Sequence, residues 1–297
     1  MILILGNGFV GEALSRKMVE NNEKVKVFSD TIGQIEGVEY RVGDWREIDQ
    51  HIDFFDKVTT VVQTIHTTVP YTSMQDIYKD ATDNILPHIK LLQILKEKNI
   101  KNGLFLSSGG AVYGFPQEKK VNEFHHTNPI SAYGVSKLSI EKYIQLYNQQ
   151  FNLNISIIRP SNLYGVGQNV KKPQGIIAHI ITAIKNNIIL DIWGTGTNYK
   201  DYLYIDDFIE ALTLLVQKKL PNPQVYNIAS GETYTVLELI SIVEKLLDKT
   251  LQTKYLPPQS FDVLSITQDV SLFKKHYLWE ARTTLVEGIR KIIKASY

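Results

Sequence analysis

Tyr133 and Lys137 are the residues of this sequence whose types and spacing best suit proton transfer. Residues four apart lie on one face of a helix, and this pair falls at the start of a helical pattern. A tyrosine with a pKa of about 10 is a poor base at neutral pH, but a nearby cation favours the phenolate and lowers that pKa. The pair therefore suits chemistry at a carbinol, with the lysine also able to hydrogen-bond a ribose. The same spacing taken alone also fits a solvated helix face.

A glycine-rich run, Gly6-Asn7-Gly8-Phe9-Val10-Gly11, directly follows a predicted N-terminal strand and opens a predicted helix. The first glycine permits a tight turn, the second lets the backbone approach a pyrophosphate, and the third lets helix and strand pack closely. The helix N-terminus adds N–H donors and the positive end of its dipole. The run predicts a dinucleotide site, and the alternative is a tight turn without a ligand. A dinucleotide site upstream favours a catalytic interpretation of the Tyr–Lys pair.

The residues after the second and third predicted strands bear on which dinucleotide binds. The second strand ends at Phe28-Ser29-Asp30. A carboxylate at the strand tip accepts from the ribose 2′-OH and favours NAD, whereas a small residue beside an arginine favours NADP. Asp30 favours NAD, but Ser29 also fits the tip and Asp30 also fits the start of a turn, so NADP stays open. Asp44 is predicted either near the adenine or as the cap of the following turn.

Short apolar strands alternate with helical patterns in the first half of the chain. The predicted strands are Ile2–Leu5, Val25–Phe28, Val38–Val42, Thr59–Thr64, Gly103–Leu106 and Asn154–Ile158. The predicted helices between them are Glu12–Asn21, Met74–Asn99 and Ser131–Gln150. This alternation predicts an α/β fold, a Rossmann-type doubly wound parallel sheet, over residues 1–160.

Beyond Arg159-Pro160 the composition changes, because glycine, proline, asparagine and tyrosine become frequent. Further helices are predicted over 176–185, 206–217 and 236–247, with a strand over 225–228. We assign residues 161–297 mainly to a smaller, C-terminal substrate-binding lobe. Residues 206–230 are expected to return to the sheet of the first domain.

Composition excludes several classes of protein. Hydrophobic residues make up 43% and charged residues 21% of the 297 residues, which is ordinary globular composition. The formal net charge of +1 gives no support for nucleic-acid or anionic-membrane binding. The absence of cysteine excludes disulfides, thiol nucleophiles and cysteine metal ligands, and the seven histidines lack metal-ligand spacing. No stretch suits a signal peptide or a membrane helix, so we expect a cytoplasmic protein.

A set of segments in fixed order makes the chain resemble a known family. They are Ile4–Gly11, Thr67–Pro70, Leu106–Gly114, Asn128–Lys137, Arg159–Gly165, Trp193–Gly196, Lys200–Asp207, Tyr226–Gly231 and Leu285–Ile289. Across nearly its whole length the chain resembles extended short-chain dehydrogenases/reductases, in particular the NAD-dependent epimerase/dehydratase group and its UDP-glucose 4-epimerase-like members. The motifs are highly specific for the family and less specific for the reaction.

The resemblance implies roles for the residues around the Tyr–Lys pair. Tyr133 would be the acid/base at the sugar hydroxyl, and Lys137 would bind the nicotinamide ribose and tune the tyrosine. The serine or threonine that normally holds the substrate hydroxyl falls on Gly109 here, so the neighbouring Ser108 is the candidate. The alternative for Ser108 is that it only satisfies backbone groups at a strand end.

The resemblance also implies substrate contacts in the second half of the chain. Asn162 matches a residue near the substrate phosphates, and Trp193 belongs to a matching segment. Lys200 stands where an arginine is usual, and Gln259 where a second diphosphate-binding arginine is common. Arginine grips a diphosphate through two parallel hydrogen bonds and lysine does not, so diphosphate binding would be weaker or differently arranged.

Two further residues have alternative interpretations. Asn84 matches an asparagine that supports the cofactor region, and otherwise would be a helix-surface residue. His66 replaces an aromatic or small residue after the fourth strand. It would either face the nicotinamide or be a packed loop histidine, and the second is favoured.

The resemblance implies a 4-epimerase that acts on a UDP-hexose or UDP-N-acetylhexosamine through a transient 4-keto sugar. The alternatives are an NAD(P)H-dependent reductase of a nucleotide-linked 4-keto-6-deoxysugar and a non-catalytic, dinucleotide-sensing protein. A 4,6-dehydratase is disfavoured because the stretch Gly109–Ala111 lacks the usual carboxylates. A homodimer is expected through the helices predicted over 74–99 and 131–150.

Overall fold

The computed structural model describes residues 1–118, 120–171, 174–218, 222–259 and 265–295. The strands are β1 (Ile2–Leu5), β2 (Val25–Ser29), β3 (Val38–Val42), β4 (Thr60–Gln63), β5 (Asn102–Leu106), β6 (Lys120–Val121), β7 (Asn154–Pro160), β8 (Asn162–Tyr164), β9 (Leu190–Trp193), β10 (Lys200–Tyr204), β11 (Val225–Ile228), β12 (Thr233–Tyr234), β13 (Thr253–Leu256) and β14 (Thr267–Gln268).

The helices alternate with these strands. They are α1 (Phe9–Glu20), α2 (Pro70–Gln75), α3 (Ile77–Glu97), α4 (Gly109–Val112), α5 (Ala132–Phe151), α6 (Ile176–Asn186), α7 (Ile205–Gln217), α8 (Val236–Leu247), α9 (Ser271–Tyr277) and α10 (Leu285–Ala295). A 3₁₀ segment spans Trp45–Phe55. No helix in the described ranges is long and apolar enough to cross a membrane.

A seven-stranded sheet forms the centre of the fold, in the order β11-β7-β5-β4-β1-β2-β3. Its pairings from β3 to β7 are parallel. The chain builds outward from β1 to β3 on one side and then continues from β4 on the other. This reversal places a crevice at the carboxyl ends of β1 and β4, where ligands bind in doubly wound sheets. The predicted Rossmann-type α/β fold is confirmed.

The contacts divide the chain into two compact units. The first comprises Met1–Ser108, Ser131–Arg159 and Ile209–Tyr226, and the second comprises Gly109–Ile130, Pro160–Phe208 and Asn227–Tyr297. The sequence analysis put residues 109–130 in the first domain, whereas the structure groups them with the second unit.

The continuous helix predicted over Met74–Asn99 is wrong. The chain forms α2 and α3 instead, and Asp76 separates them with non-helical backbone angles of φ −147° and ψ 88°. Its carboxylate accepts a hydrogen bond from the Lys79 amide at 2.8 Å, which caps the start of α3. The apolar periodicity continues across this break, so spacing alone did not reveal it.

Candidate active site

The glycine-rich run forms the tight turn between β1 and α1. Gly6 has φ +108°, a left-handed conformation that favours glycine. A Cβ added at Gly11 would lie 1.9 Å from the Gly6 carbonyl oxygen, so the helix packs directly on the turn. A Cβ at Gly8 would have no described atom within 4 Å beyond its chain neighbours. Gly6 therefore forms the tight turn and Gly11 the close helix contact that the sequence predicts, and the backbone of Gly8 borders open space.

The turn fits the phosphates of a dinucleotide. Gly8 caps α1 without a side-chain hydrogen bond, and the first intrahelical amide bond runs from Glu12 to Gly8. The amides of Phe9, Val10 and Gly11 have no carbonyl to pair with inside the helix and suit an anion. The Asn7 Oδ1 atom is buried and has no hydrogen-bond partner in the described chain. The open space beside Gly8, the first amides of α1 and the buried Asn7 Oδ1 atom therefore lie together in this turn.

Gly8 and Gly11 form a matched pair for a test of the dinucleotide site. We expect Gly8→Ala to weaken NAD binding by at least about tenfold with Tm unchanged, because its methyl group enters only ligand space. Gly11→Ala should lower Tm, because its methyl group collides with the Gly6 carbonyl. Calorimetric titration with NAD and thermal melting separate the two effects. Unweakened binding by Gly8→Ala would show that the ligand does not approach this backbone.

The candidate residues for the adenosine side lie at the carboxyl edge of β2 and β3. Ser29 is buried, and its hydroxyl bonds to the backbone of Thr31, accepting from the amide at 3.2 Å. Asp30 is exposed and thus accessible to a ribose hydroxyl. Asp44 accepts from the Arg46 amide at 2.8 Å and caps the 3₁₀ segment. The Arg46 guanidinium hydrogen-bonds the Asp44 carboxylate and lowers its pKa to about 2.

Tyr133, Ser108 and Lys137 come together beside the end of β5. Ser131 caps α5 by accepting from the Gly134 amide at 3.2 Å, which starts the helix one residue before Tyr133. Ser108 lies near the Tyr133 phenol and acts to lower its pKa. The Lys137 Nζ atom lies 5.7 Å from the centre of the Tyr133 ring and donates to the Leu106 carbonyl at 2.6 Å. The solvated-face alternative is wrong, because Lys137 is only 3% exposed.

Burial dominates the ionisation of this cluster. It raises the pKa of Tyr133 to about 12, aided by the negative Asp80 and opposed by the nearby Ser108 hydroxyl. It lowers the pKa of Lys137 to about 7, opposed by the negative charges of Glu141 and Asp80. The sequence predicted a lowered tyrosine pKa, which is wrong for the ligand-free protein. Lowering it requires a positive charge at the site, and a protonated Lys137 supplies one.

The shifted lysine predicts a pH-dependent stability. Below pH 7 Lys137 is protonated in both states, whereas from about pH 7 to the ordinary value of 10.5 only the unfolded chain keeps the proton. The free energy of unfolding therefore rises with pH in this window relative to Lys137→Met, by up to about 1.4 kcal/mol per pH unit. Urea denaturation of both proteins from pH 6 to 9.5 measures this difference. Parallel curves would show that the buried amine stays protonated.

Gly109 has a packing reason to lack a side chain. A Cβ at this position would lie 2.1 Å from the Gln268 Nε2 atom. The serine or threonine that the resemblance led us to look for would fit there only if the Gln268 amide moved. The neighbouring Ser108 brings a hydroxyl close to the tyrosine instead.

Asn84 organises the loop that follows β4. It is fully buried, so the helix-surface alternative is wrong. Its Oδ1 atom accepts from the Thr67 amide at 2.9 Å and the Thr67 hydroxyl at 3.2 Å. Its Nδ2 atom donates to the Asp80 carbonyl at 2.9 Å. Asn84 thus fixes the loop at the crevice.

Asp80 and Ser136 were missed in the sequence analysis, and they join His66 beside Tyr133. Asp80 is fully buried and accepts from Ser136 at 2.5 Å and from Thr68. Burial alone would raise the pKa of Asp80, but these bonds together with His66 hold it below its usual value. The sequence did contain a signal for Asp80. Residues 80, 84 and 88 of α3 are all polar, and their four-residue spacing puts them on one face of the helix.

A buried ion pair anchors α5 behind the cluster. Glu141 is bound by Arg159 through two bonds, Nε to Oε1 at 3.0 Å and a second at 2.6 Å to Oε2. Ser107, which precedes Ser108, donates to the same carboxylate at 2.5 Å. All three side chains are buried. The pair therefore ties α5 to β5 and β7 and fixes the positions of the candidate catalytic residues.

The four candidate substrate residues belong to the second unit and form two groups. Asn162 lies in β8 beside β10, which begins at Lys200, and its Nδ2 atom donates to the Asp201 carbonyl at 2.8 Å. Trp193 ends β9 and pairs with Leu256 of β13. Gln259 follows Leu256 by three residues. Within that unit, Asn162 and Lys200 therefore lie in the paired strands β8 and β10. Trp193 lies in β9, and Gln259 lies beyond the end of its partner strand β13.

Comparisons with known proteins agree with this geometry. The sequence model described as "NAD dependent epimerase/dehydratase family" matches residues 2–229. A putative UDP-glucose 4-epimerase of Methanocaldococcus jannaschii is 32% identical over 302 residues, covering 99% of this chain and 97% of that protein. A dTDP-4-dehydro-6-deoxyglucose reductase of Escherichia coli is 29% identical over 307 residues, covering 99% and 96%.

A solved structure shares the whole fold. The UDP-glucose 4-epimerase of Thermotoga maritima, crystallised with UDP-glucose, superposes with a TM-score of 0.93 at 25% sequence identity. The match covers 99% of this chain and 98% of that one.

Proposed function

The chain belongs to the NAD-dependent epimerase/dehydratase family, and from that premise we propose that it is a nucleotide-sugar 4-epimerase acting on a UDP-hexose or UDP-N-acetylhexosamine. Membership makes it an NAD-dependent enzyme of nucleotide-sugar chemistry. The observation that carries the proposal is the cluster in which Ser108 lies near the Tyr133 phenol and Lys137 is buried beside it. The 32% identity to a putative UDP-glucose 4-epimerase supports the same reaction.

In this function the residues of the chain move one proton and hold two ligands. Bound NAD would supply the hydride chemistry. The open turn at Gly8 has room for the phosphates of NAD. Tyr133 takes the proton of the C4 hydroxyl as C4 is oxidised and returns it when C4 is reduced on the opposite face. Ser108 orients the phenol and hydroxyl, and a protonated Lys137 stabilises the phenolate. No external reductant is needed, because oxidation and reduction at C4 balance within one turnover.

The nucleotide-diphosphate part of the substrate is assigned to the second unit. We propose that Asn162, Trp193, Lys200 and Gln259 contact it. Lysine offers a single point charge where arginine would offer a planar fork, and glutamine offers a neutral amide. Diphosphate recognition in this chain would therefore depend more on neutral hydrogen bonds than on paired guanidinium groups.

A reductase of a nucleotide-linked 4-keto-6-deoxysugar is the second candidate. The 29% identity to an Escherichia coli dTDP-4-dehydro-6-deoxyglucose reductase, across 99% of this chain, specifically favours it. Such an enzyme would use the same Tyr133 as proton donor to the new hydroxyl. It would consume one reduced nicotinamide per turnover, whereas an epimerase would consume none.

One assay separates these functions. The purified protein is incubated with UDP-galactose, UDP-N-acetylgalactosamine or a 4-keto-6-deoxy nucleotide sugar, first without reductant and then with NADH or NADPH. Chromatographic interconversion of 4-epimers without reductant would establish the epimerase. Reductant consumption only with the keto sugar would replace it by the reductase. Tight NAD binding with no turnover of any of them would favour a dinucleotide-sensing protein.

We further propose that the protein is a homodimer that pairs through α3 and α5. These helices pack together and expose apolar side chains, with Tyr78 80%, Leu86 54% and Leu146 47% exposed. We expect light scattering to give twice the mass of one chain, and Leu86→Glu with Leu146→Glu to give the mass of one. Leu278→Glu, at a residue 87% exposed in the second unit, is the control and should leave the dimer intact. A single-chain mass for the unaltered protein would reject the dimer.

A further inference from the structure

His66 is a buried polar side chain that the proposed mechanism does not use. It follows β4 at the crevice, and its side chain is 6% exposed. Its ring packs edge-on against Tyr133, with centroids 4.7 Å apart and planes at 81°. Neither ring nitrogen has a hydrogen-bond partner in the described ranges. A buried polar group without a partner is unfavourable, so these two nitrogens call for an explanation.

The surroundings of His66 determine which hydrogen-bonding group its ring offers. The Nε2 atom lies 3.8 Å from Asp80 Oδ1, too far for a hydrogen bond but close enough to feel its charge. Burial lowers the pKa of His66 to about 3, so the ring is neutral at physiological pH. Despite the burial of Asp80, the nearby His66 ring and the bonds from Ser136 and Thr68 hold its pKa below the usual value, so it is an anion at physiological pH. A neutral ring beside an anion places its proton on Nε2, which leaves Nδ1 as an acceptor.

The same loop is tied to the dinucleotide turn. Thr64, two residues before His66, donates from its hydroxyl to the Leu5 carbonyl at 2.8 Å. Gly6, the first residue of the turn, lies so close to this threonine that an added Cβ would be 2.5 Å from the Thr64 hydroxyl. His66 therefore lies between the turn that suits phosphates and the tyrosine that suits proton transfer. The loop that carries His66 thus contacts both the turn and the tyrosine.

We propose that His66 Nδ1 accepts a hydrogen bond from an N–H or O–H group of the ligand that binds beside Tyr133. The inference rests on the proposed function and assigns this chain a binding residue. Two ligands carry such donors, since NAD has a carboxamide and ribose hydroxyls and a nucleotide sugar has ring hydroxyls. The Tyr133 contact makes His66 a positioning residue too, because one side of its ring packs against the phenol while its acceptor binds the ligand.

The test uses the variants His66→Phe and His66→Asn. Phenylalanine keeps an aromatic edge for Tyr133 and lacks the acceptor, whereas asparagine keeps an oxygen near the position of Nδ1. We expect His66→Phe to weaken binding of one ligand by about tenfold, with Tm equal or higher because an unpaired polar group is removed. His66→Asn should recover part of the affinity. A purely structural histidine would instead give a lower Tm with unchanged affinity.

Two arms of the experiment identify the donor. Calorimetric titration of NAD into nucleotide-free protein reports the cofactor, and KM against kcat for UDP-galactose at saturating NAD reports the sugar. A weaker NAD affinity assigns the donor to the cofactor, and a raised KM with unchanged NAD affinity assigns it to the sugar. Unchanged affinity for both ligands overturns the proposal. If the unaltered protein turns over no nucleotide sugar, the proposed function fails while the NAD arm still tests His66.

His88 provides a matched control on the neighbouring helix. It is 2% exposed, its Nε2 atom also lacks a partner in the described chain, and it packs edge-on against Phe105 and Trp45. Its ring lines an apolar cavity between α3 and the sheet. We expect His88→Phe to leave NAD affinity and KM unchanged. An equal loss in both variants would show that any buried histidine of this region affects binding, which would overturn the specific role of His66.

Discussion

Tyr133→Phe should lower kcat by about 10² to 10⁴-fold while NAD affinity stays close to that of the unaltered protein. The variant removes one oxygen, the group that exchanges a proton with the C4 hydroxyl in the proposed reaction. The ring stays, so the edge-on contact with His66 and the start of α5 are preserved. Steady-state kinetics on the sugar identified by the assay and calorimetric titration with NAD measure the two quantities.

Tyr143→Phe is the matched control for this loss. Tyr143 lies on the same helix and is 38% exposed, so removal of its hydroxyl should leave kcat unchanged. Near-normal turnover by Tyr133→Phe would reject the tyrosine as the proton-transfer group. An equal loss of NAD affinity would show that the phenol mainly binds cofactor.

Arg159→Met should reduce the free energy of unfolding by about 3 to 5 kcal/mol. The substitution leaves the Glu141 carboxylate buried without its cation, and an unpaired buried charge is strongly unfavourable. The hydrogen bond from Ser107 to the Glu141 carboxylate remains, but a serine hydroxyl has no charge that could compensate the carboxylate. Urea denaturation at pH 7 measures the change, and kcat should fall as well because the pair anchors α5 behind Lys137.

The double variant Glu141→Gln with Arg159→Met tests the cause. Glutamine removes the charge and keeps an acceptor for Ser107, so the double variant should be more stable than Arg159→Met alone. A double variant that is less stable than either single variant would show that Arg159 stabilises the protein through packing and its other bonds. In that case the ion pair would not explain the loss.

The central sheet was predictable because its pattern is local. Most of its strands are short apolar runs bounded by turns, because parallel strands buried on both faces read as continuous apolar segments, whereas the edge strand β3 alternates apolar and charged residues. The predicted bounds of β1 and β3 match the structure, and those of β4 differ by one residue at each end. The break at Asp76 was missed, because a cap inside an apolar pattern is decided by one side chain and not by periodicity.

The candidate site was likewise predictable only where it depends on residues close together in the sequence. The glycine turn and the Tyr133–Lys137 spacing are set by residues close in the chain, so their roles could be proposed from sequence. Asn84 was placed by family resemblance, but its burial came only from the structure. The pKa of Tyr133 was predicted in the wrong direction. A sequence can show that a lysine lies near the tyrosine, but it does not show how deeply the phenol is buried, and burial raises the pKa.

The sequence by itself determined the fold class, the dinucleotide turn and the tyrosine–lysine pair, since each depends on spacing within one strand, turn or helix. Only the tertiary structure decided which residues surround that pair. Asp80 and His66 reach Tyr133 from a separate helix and loop. These contacts join residues far apart in the chain, and the burial they create sets the ionisation of the site.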